Sequence, residues 1–296
     1  MRVLKLSMKS VAVIIACFAV TAVFTSCKKD GVYNPSKKIS KIYTQKSGAA
    51  KELEAIYKWD GNKLDRITSP DGSYFTKFSY DGNRVSKITD SDGDWTYSFS
   101  YNGSKFEKVE RTSKYYSTVY KPTYKGSNIE KLEVTRTYLQ GGDDDADYYS
   151  SSKANESIAR IALELFVPFL KEDRNVTHKS RKAGNVEIWT YTYTWKGGNI
   201  IKEVYESTSS DNKVYTTTTE YKEYDNKKNP FYGFVGVGDY VSSKNNCKKE
   251  EQTDNGGRIT EIEYEYIYSG SYPTECIETE SSGSSKTRST TLIEYE

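Results

Sequence analysis

The sequence predicts an all-β fold: a large antiparallel meander closing into a soluble, barrel-like sheet, with one inserted helix near residues 155–170. Three observations predict it. A phrase built on an aromatic residue and a glycine recurs at Trp59–Ile67 (WDGNKLDRI), Tyr80–Ile88 (YDGNRVSKI), Tyr101–Val109 (YNGSKFEKV) and Tyr124–Leu132 (YKGSNIEKL). Its starts at 59, 80, 101 and 124 are 21, 21 and 23 residues apart, room for two short strands and two turns. The composition, with 27 Tyr and abundant Thr, suits a pleated surface, and long Thr/Tyr/Glu strands follow at Glu187–Trp195, Val214–Tyr224, Ile259–Tyr268 and Lys286–Tyr295.

Residues 1–26 read as a secretory signal segment. Arg2, Lys5 and Lys9 precede the apolar run VAVIIACFAV, which is too short and wrongly flanked for a membrane span. Phe24-Thr25-Ser26-Cys27 then resembles the lipobox of bacterial lipoproteins, with Phe24 where Leu is usual. The resemblance implies cleavage before Cys27 and acylation of its thiol and amine. Several acyl chains give effectively permanent anchoring, since each buried CH₂ contributes ~0.8 kcal/mol. Residues 27–38 read as a polar tether and 39–296 as a single barrel-like domain.

The repeat suggests its own register. A type II′ turn centred on Gly61-Asn62 needs only glycine at positive φ. A turn centred one residue earlier would force Lys125 into that conformation in the fourth copy. The chosen register sets Trp59 against Leu64, Tyr80 against Val85, Tyr101 against Phe106 and Tyr124 against Ile129. On a regular ladder the next pairs are Tyr57–Arg66, Phe78–Lys87 and Phe99–Lys108, aromatic against cation. Ile56 then meets Ile67 on the other face. WKGGNIIKEV (Trp195–Val204) and DNGGRITEI (Asp254–Ile262) read as weaker copies.

Asn155–Leu170 breaks the pattern. Ile158, Ile161, Ala162, Leu165, Phe166 and Phe169 fall at helical spacing, Asn155 suits an N-cap, and Pro168 ends or kinks the helix. Its apolar face is expected to cover the sheet.

The phrases resemble the tyrosine-aspartate repeats of large bacterial repeat proteins. Together with the lipobox and the run YDNKKNPF (Tyr224–Phe231), followed by Gly233, Gly236 and Gly238, they more closely resemble a family of Gram-negative lipoproteins described as having a porin-like fold. That resemblance implies a closed or nearly closed antiparallel barrel over most of the mature chain, and it transfers no catalytic residue. A lipid-spanning strand needs ~9–11 residues with apolar side chains at every lipid-facing position. Here Lys and Glu stud the strands, and the chain closes on Ile293-Glu294-Tyr295-Glu296, so a soluble barrel on a lipid tether is the expectation.

Few residues suggest chemistry. Lys and Arg number 43 against 41 Asp and Glu, interleaved along strands, which excludes a nucleic-acid-binding stripe. The sole histidine, His178, has no partner ligand nearby in sequence. Asp143, Asp145 and Asp147 are spaced like an EF-hand loop but lack its glycine and its twelfth-position Glu, so a solvated loop is the stronger reading and no metal or cofactor is expected. Glu261, Glu263 and Glu265 share one face of one strand, which suits solvent. Cys247 and Cys276 are expected on strands flanking one common strand, ~9.6 Å apart and beyond disulfide reach, hence free thiols. The site assignment is therefore lipidation at Cys27 alone.

The expected function is a lipid-anchored protein of the outer membrane, on its periplasmic face or at the cell surface, acting as a binding or structural module and not as an enzyme. Its partners are then the membrane through the anchor and a glycan or protein. A carrier of a small or lipidic ligand in the barrel hollow is the alternative, and a carbohydrate-active hydrolase a third.

Overall fold

Among the described residues every strand hydrogen-bonds to the strands before and after it in sequence, and the last pairs with the first, closing an antiparallel barrel of 16 strands. The computed structural model describes residues 30–139, 183–208, 213–234 and 242–296. The signal segment, Cys27, the helix expected at 155–170, His178, and Asp143, Asp145 and Asp147 lie outside those residues. The strands are β1 (Ile39–Lys46), β2 (Glu52–Asp60), β3 (Lys63–Thr68), β4 (Phe75–Asp81), β5 (Arg84–Asp90), β6 (Trp95–Asn102), β7 (Lys105–Ser113), β8 (Tyr116–Lys125), β9 (Asn128–Tyr138), β10 (Val186–Lys196), β11 (Asn199–Thr208), β12 (Val214–Tyr224), β13 (Cys247–Asp254), β14 (Ile259–Ser269), β15 (Tyr272–Ser282) and β16 (Ser285–Tyr295).

The repeated phrase is a hairpin, as expected, and its turn register is the one the glycines select. Asp60 pairs with Lys63, Asp81 with Arg84, Asn102 with Lys105 and Lys125 with Asn128. Gly61, Gly82, Gly103 and Gly126 have φ of 53°, 57°, 59° and 62°, while the Asn or Ser after each is not at positive φ, the type II′ pattern. The first cross-strand pairs also stand: Trp59–Leu64, Tyr80–Val85, Tyr101–Phe106 and Tyr124–Ile129.

Beyond those pairs the regular ladder fails. A β-bulge follows each, so Tyr57 pairs with Ile67, Phe78 with Ile88 and Phe99 with Val109, not with Arg66, Lys87 and Lys108. Ile56 likewise meets Thr68, not Ile67. The cause is the spacing of apolar residues after the turn, at i and i+3. On a flat strand these would point to opposite faces. One extra residue in a bulge brings both to the same face. Leu64 and Ile67, and Val85 and Ile88, are accordingly all buried.

Two later hairpins carry the same bulge, β10–β11 at Trp195–Ile200 and β14–β15 at Tyr268–Pro273. The second of these has Pro273 and Cys276 in the two apolar slots. The glycines of Asp254–Ile262, read as a weak copy, lie instead in the β13–β14 loop at the opposite end of the barrel, closed by Asp254 N donating to Arg258 O.

The leading aromatic is Trp or Tyr in every copy, never Phe, and the structure gives the reason. Four such rings reach the preceding hairpin and donate to the carbonyl beside its bulge, whereas Tyr124 donates to the Asp30 carboxylate and Tyr268 to that of Asp225. Tyr80 Oη donates to Leu64 O (2.8 Å), Tyr101 Oη to Val85 O (2.5 Å), Trp195 Nε1 to Ile129 O (2.7 Å) and Tyr295 Oη to Pro273 O (2.7 Å). A bulge takes such groups out of the ladder, and a buried carbonyl needs a donor. The cation after each of the first three turns completes the joint. It lies over the next hairpin's ring: Lys63 on Tyr80 (5.4 Å), Arg84 on Tyr101 (4.9 Å), Lys105 on Tyr124 (4.7 Å). Arg84 and Lys105 also donate to the next turn's glycine carbonyl, at Gly103 and Gly126. The aromatic–cation pairing expected within a hairpin thus operates between hairpins.

The apolar face points inward. One buried cluster joins Ile39 and Ile42 of β1, Tyr57, Phe78 and Phe99 of the repeats, Tyr193 and Tyr221 of β10 and β12, and Ile293 of β16. Strands on opposite sides of a closed barrel share a cluster only through its interior. The outward row carries charge: Lys222 pairs with Glu251 at 2.9 Å, Lys249 with Glu261 and Glu263 at 3.5 and 3.6 Å, and Lys41 with Glu294 at 3.8 Å. Such exposed pairs contribute little stability, and they mark a solvated wall.

Candidate functional site: the barrel lumen

The tight-turn end of the lumen is closed by two segments. Residues 30–38 fall in the stretch read as a polar tether, yet they lie across this end as a strap. Asp30 N donates to Ser104 O (2.9 Å), Val85 N donates to Gly31 O (3.0 Å), buried Tyr33 donates to Pro230 O (2.8 Å), and Ser36 Oγ and Tyr272 Oη share a hydrogen bond at 2.7 Å. The second segment is the run Tyr224–Phe231. Asp225 accepts from Lys227 N and Asn246 N, Asn229 Oδ1 accepts from Phe231 N, and Tyr268 also donates to Asp225. The run delivers Phe234 edge-on to Tyr33 at 4.9 Å and near Phe78 at 6.1 Å. The motif singled out in the sequence is thus the floor of the barrel.

Toward the other end the inward residues change character. Strand register lines up Tyr97, Arg111, Thr118, Arg136 and Glu187 in one row across β6 to β10. The Arg111 guanidinium lies over Tyr116 (5.2 Å), Tyr97 (5.5 Å) and Trp95 (5.9 Å), and that of Arg136 over Tyr116 (4.6 Å) and Trp189 (5.2 Å). Arg136 Nε donates to Thr118 Oγ1 at 3.2 Å, and Tyr138 Oη to Glu187 at 2.8 Å. Two cations therefore share one tyrosine ring inside the barrel, with tryptophans on either side.

The sector from β11 to β15 is acidic and phenolic. Register places Tyr221 beside Glu250, Glu250 beside Ile262, Ile262 beside Glu280, and Tyr264 beside Glu278. Glu250 is 2% exposed. Burial pushes the Tyr221 and Tyr264 phenols well above the ordinary value. Nearby carboxylates add to it, Glu203 and Glu250 at Tyr221, Glu250 and Glu278 at Tyr264. Further out on the same inward rows Tyr215, Thr287 and Ser289 are exposed. The described lumen thus has three parts: a buried aromatic floor, a wall of arginines and aromatic rings, and a wall of carboxylates and tyrosines.

Cys247 and Cys276 are free, on β13 and β15 either side of β14, as their turns predict. Burial, then Glu250 for Cys247 and Glu278 for Cys276, pushes each thiol up to about 12, so neither is a nucleophile at neutral pH. Among the described residues no group of three or more His, Cys, Asp or Glu is placed to hold a metal ion. Sequence reasoning found none of the lumen rows, because Arg111, Arg136, Glu203 and Glu250 acquire their row neighbours only through cross-strand registers.

No protein-family model matches the chain, and no curated protein matches it. Among solved structures, the chain is similar to a porin-like protein from Bacteroides vulgatus, at 12% identity over 88% of this chain and 99% of that one, with a TM-score of 0.53. A porin-like protein from Bacteroides uniformis aligns over 87% of this chain and 98% of that one, at 10% identity and a TM-score of 0.34. The first likeness establishes a shared antiparallel-barrel fold.

Proposed function

We propose that the protein is a lipoprotein of the outer membrane, held by acyl chains on Cys27, whose barrel is a binding cup for a small anionic ligand. The porin-like protein that shares its fold supports an envelope setting. The outward charged rows support an anchored barrel over a spanning one, since Lys or Arg on a lipid-facing strand costs about 2–4 kcal/mol at the bilayer midplane.

The observation that carries the binding role is the pair of guanidiniums on Tyr116 within the lumen. Rings cover the guanidinium faces, and a guanidinium bonds anions through its edge. Trp189 and Tyr97 supply flat surfaces for a sugar or other ring. An acidic saccharide satisfies both features. The tightly filled floor gives no support to a lipidic carrier.

Calorimetric titration with galacturonate and with neutral galactose tests this. Binding of the acid sugar alone is expected, weakened about tenfold or more in Arg136→Met, the loss of one charge-assisted hydrogen bond. Equal binding of both sugars, or an Arg136→Met variant that binds like the parent, contradicts the reading.

A further inference from the structure

The strap fixes where the anchor leaves the barrel. Asp30 is tied to the tight-turn rim by its own N–H on Ser104 O, by Phe106 N donating to its carboxylate at 3.1 Å, and by Tyr124 Oη donating to the same oxygen at 2.5 Å. Gly31, at φ 75°, passes so close to Tyr101 that a Cβ would stand 2.0 Å from its hydroxyl. Cys27 is three residues before Asp30. A fully extended chain spans about 3.3–3.6 Å per residue, so the acylated residue lies within about 10 Å of this rim.

The same rim is ringed with cations. Lys38, Lys63, Arg84, Lys105, Lys227 and Lys228 each lie over an aromatic ring at 4.7 to 5.7 Å, on Trp59, Tyr80, Tyr101, Tyr124, Tyr268 and Tyr272 respectively. Asp30, Asp60, Asp81 and Asp225 at this end still leave a cationic excess. Aromatic bodies carrying cationic tips suit the boundary between lipid and water. Each cation near an anionic leaflet adds attraction that fades within a Debye length.

We infer that the tight-turn rim is a membrane-facing surface: it rests on the phosphate layer of the leaflet that holds the Cys27 acyl chains, and the cup opens away from the bilayer. This depends on the reading of Cys27 as acylated. With strands of up to 11 residues, the opposite end stands about 25 Å above the lipid.

The test uses the full mature chain, purified in its membrane-processed form and placed on vesicles of equal parts phosphatidylcholine and phosphatidylglycerol. A fluorophore is attached at Asn83→Cys, in a tight turn, or at Ser284→Cys, in a loop of the far end; both parent residues are exposed. The native thiols, pushed up to about 12, stay protonated at neutral pH and compete poorly. A spin-labelled lipid headgroup is expected to quench the probe at 83 strongly and the probe at 284 hardly at all. Quenching at 83 should weaken in phosphatidylcholine alone. Equal quenching at both positions, stronger quenching at 284, or none at either while the protein floats with the vesicles overturns the orientation and leaves acylation standing. Quenching at 83 that ignores lipid charge removes the rim cations from the account. A protein that does not float with the vesicles overturns the acylation reading itself, and the orientation with it.

Discussion

Raising the pH above about 10 is expected to unfold the barrel cooperatively, with half-unfolding near pH 11. Tyr33, Tyr57, Tyr221 and Tyr264 are buried phenols, each pushed well above the ordinary value first of all by burial. The unfolded chain releases those protons near pH 10 and the folded chain does not. Stability from these groups is therefore whole below about pH 10 and falls as pH climbs toward the folded values. Each phenol favours the unfolded state by about 1.4 kcal/mol per pH unit above 10. At pH 11 the four together contribute about 5–6 kcal/mol, comparable to the total stability of a modest domain, about 5–15 kcal/mol. Cys247 and Cys276 act in the same direction from a lower pH. Urea midpoints across this range, recorded with tyrosinate absorbance, check the result. A midpoint that stays flat while the tyrosines titrate one by one would mean the phenols are solvated.

Phe78→Ala is expected to cost about 3–5 kcal/mol, the usual loss for an aromatic side chain removed from a packed core. Phe78 is 4% exposed, pairs across the hairpin with Ile88, and meets Phe234 from the floor segment. The change therefore loosens wall and floor together. Phe75, on the outward face of the same strand beneath Arg66, should cost about 1 kcal/mol or less when truncated. A double-mutant cycle also separates two registers. The bulged register couples Phe78 to Ile88, whereas a regular ladder would couple it to Lys87. Coupling of 0.5 kcal/mol or more with Ile88→Ala, and none with Lys87→Ala, is the expected pattern in denaturant unfolding.

Much of this architecture was legible in the sequence. The glycines selected the turn register because only one placement keeps Lys125 out of positive φ. The consecutive antiparallel pairing followed from the repeat and from the Thr/Tyr strands. The bulge was legible too, in the i, i+3 spacing of Leu64 and Ile67. That spacing suits a helix or a bulged strand and no regular strand, and a flat ladder overlooked it. The Tyr268–Pro273 copy was hidden because Pro and Cys fill its apolar slots. The strap was hidden for another reason: Gly31–Ser36 is polar enough to read as a tether, and only Tyr33 betrays a buried anchor point. The lumen rows could not be read at all. Arg111 and Arg136 are 25 positions apart and become neighbours of Thr118 through two cross-strand registers that no local pattern specifies.

The central claim is that this barrel turns its apolar face inward, so that lipid supplies an address and not a solvent. The measurement that tests it most directly is sedimentation velocity of residues 28–296, expressed without Cys27, in buffer free of detergent. The account predicts a discrete, low-mass species with the circular dichroism of a folded β protein. A chain that aggregates in buffer and folds only in micelles would contradict it, and would place the barrel wall in the membrane.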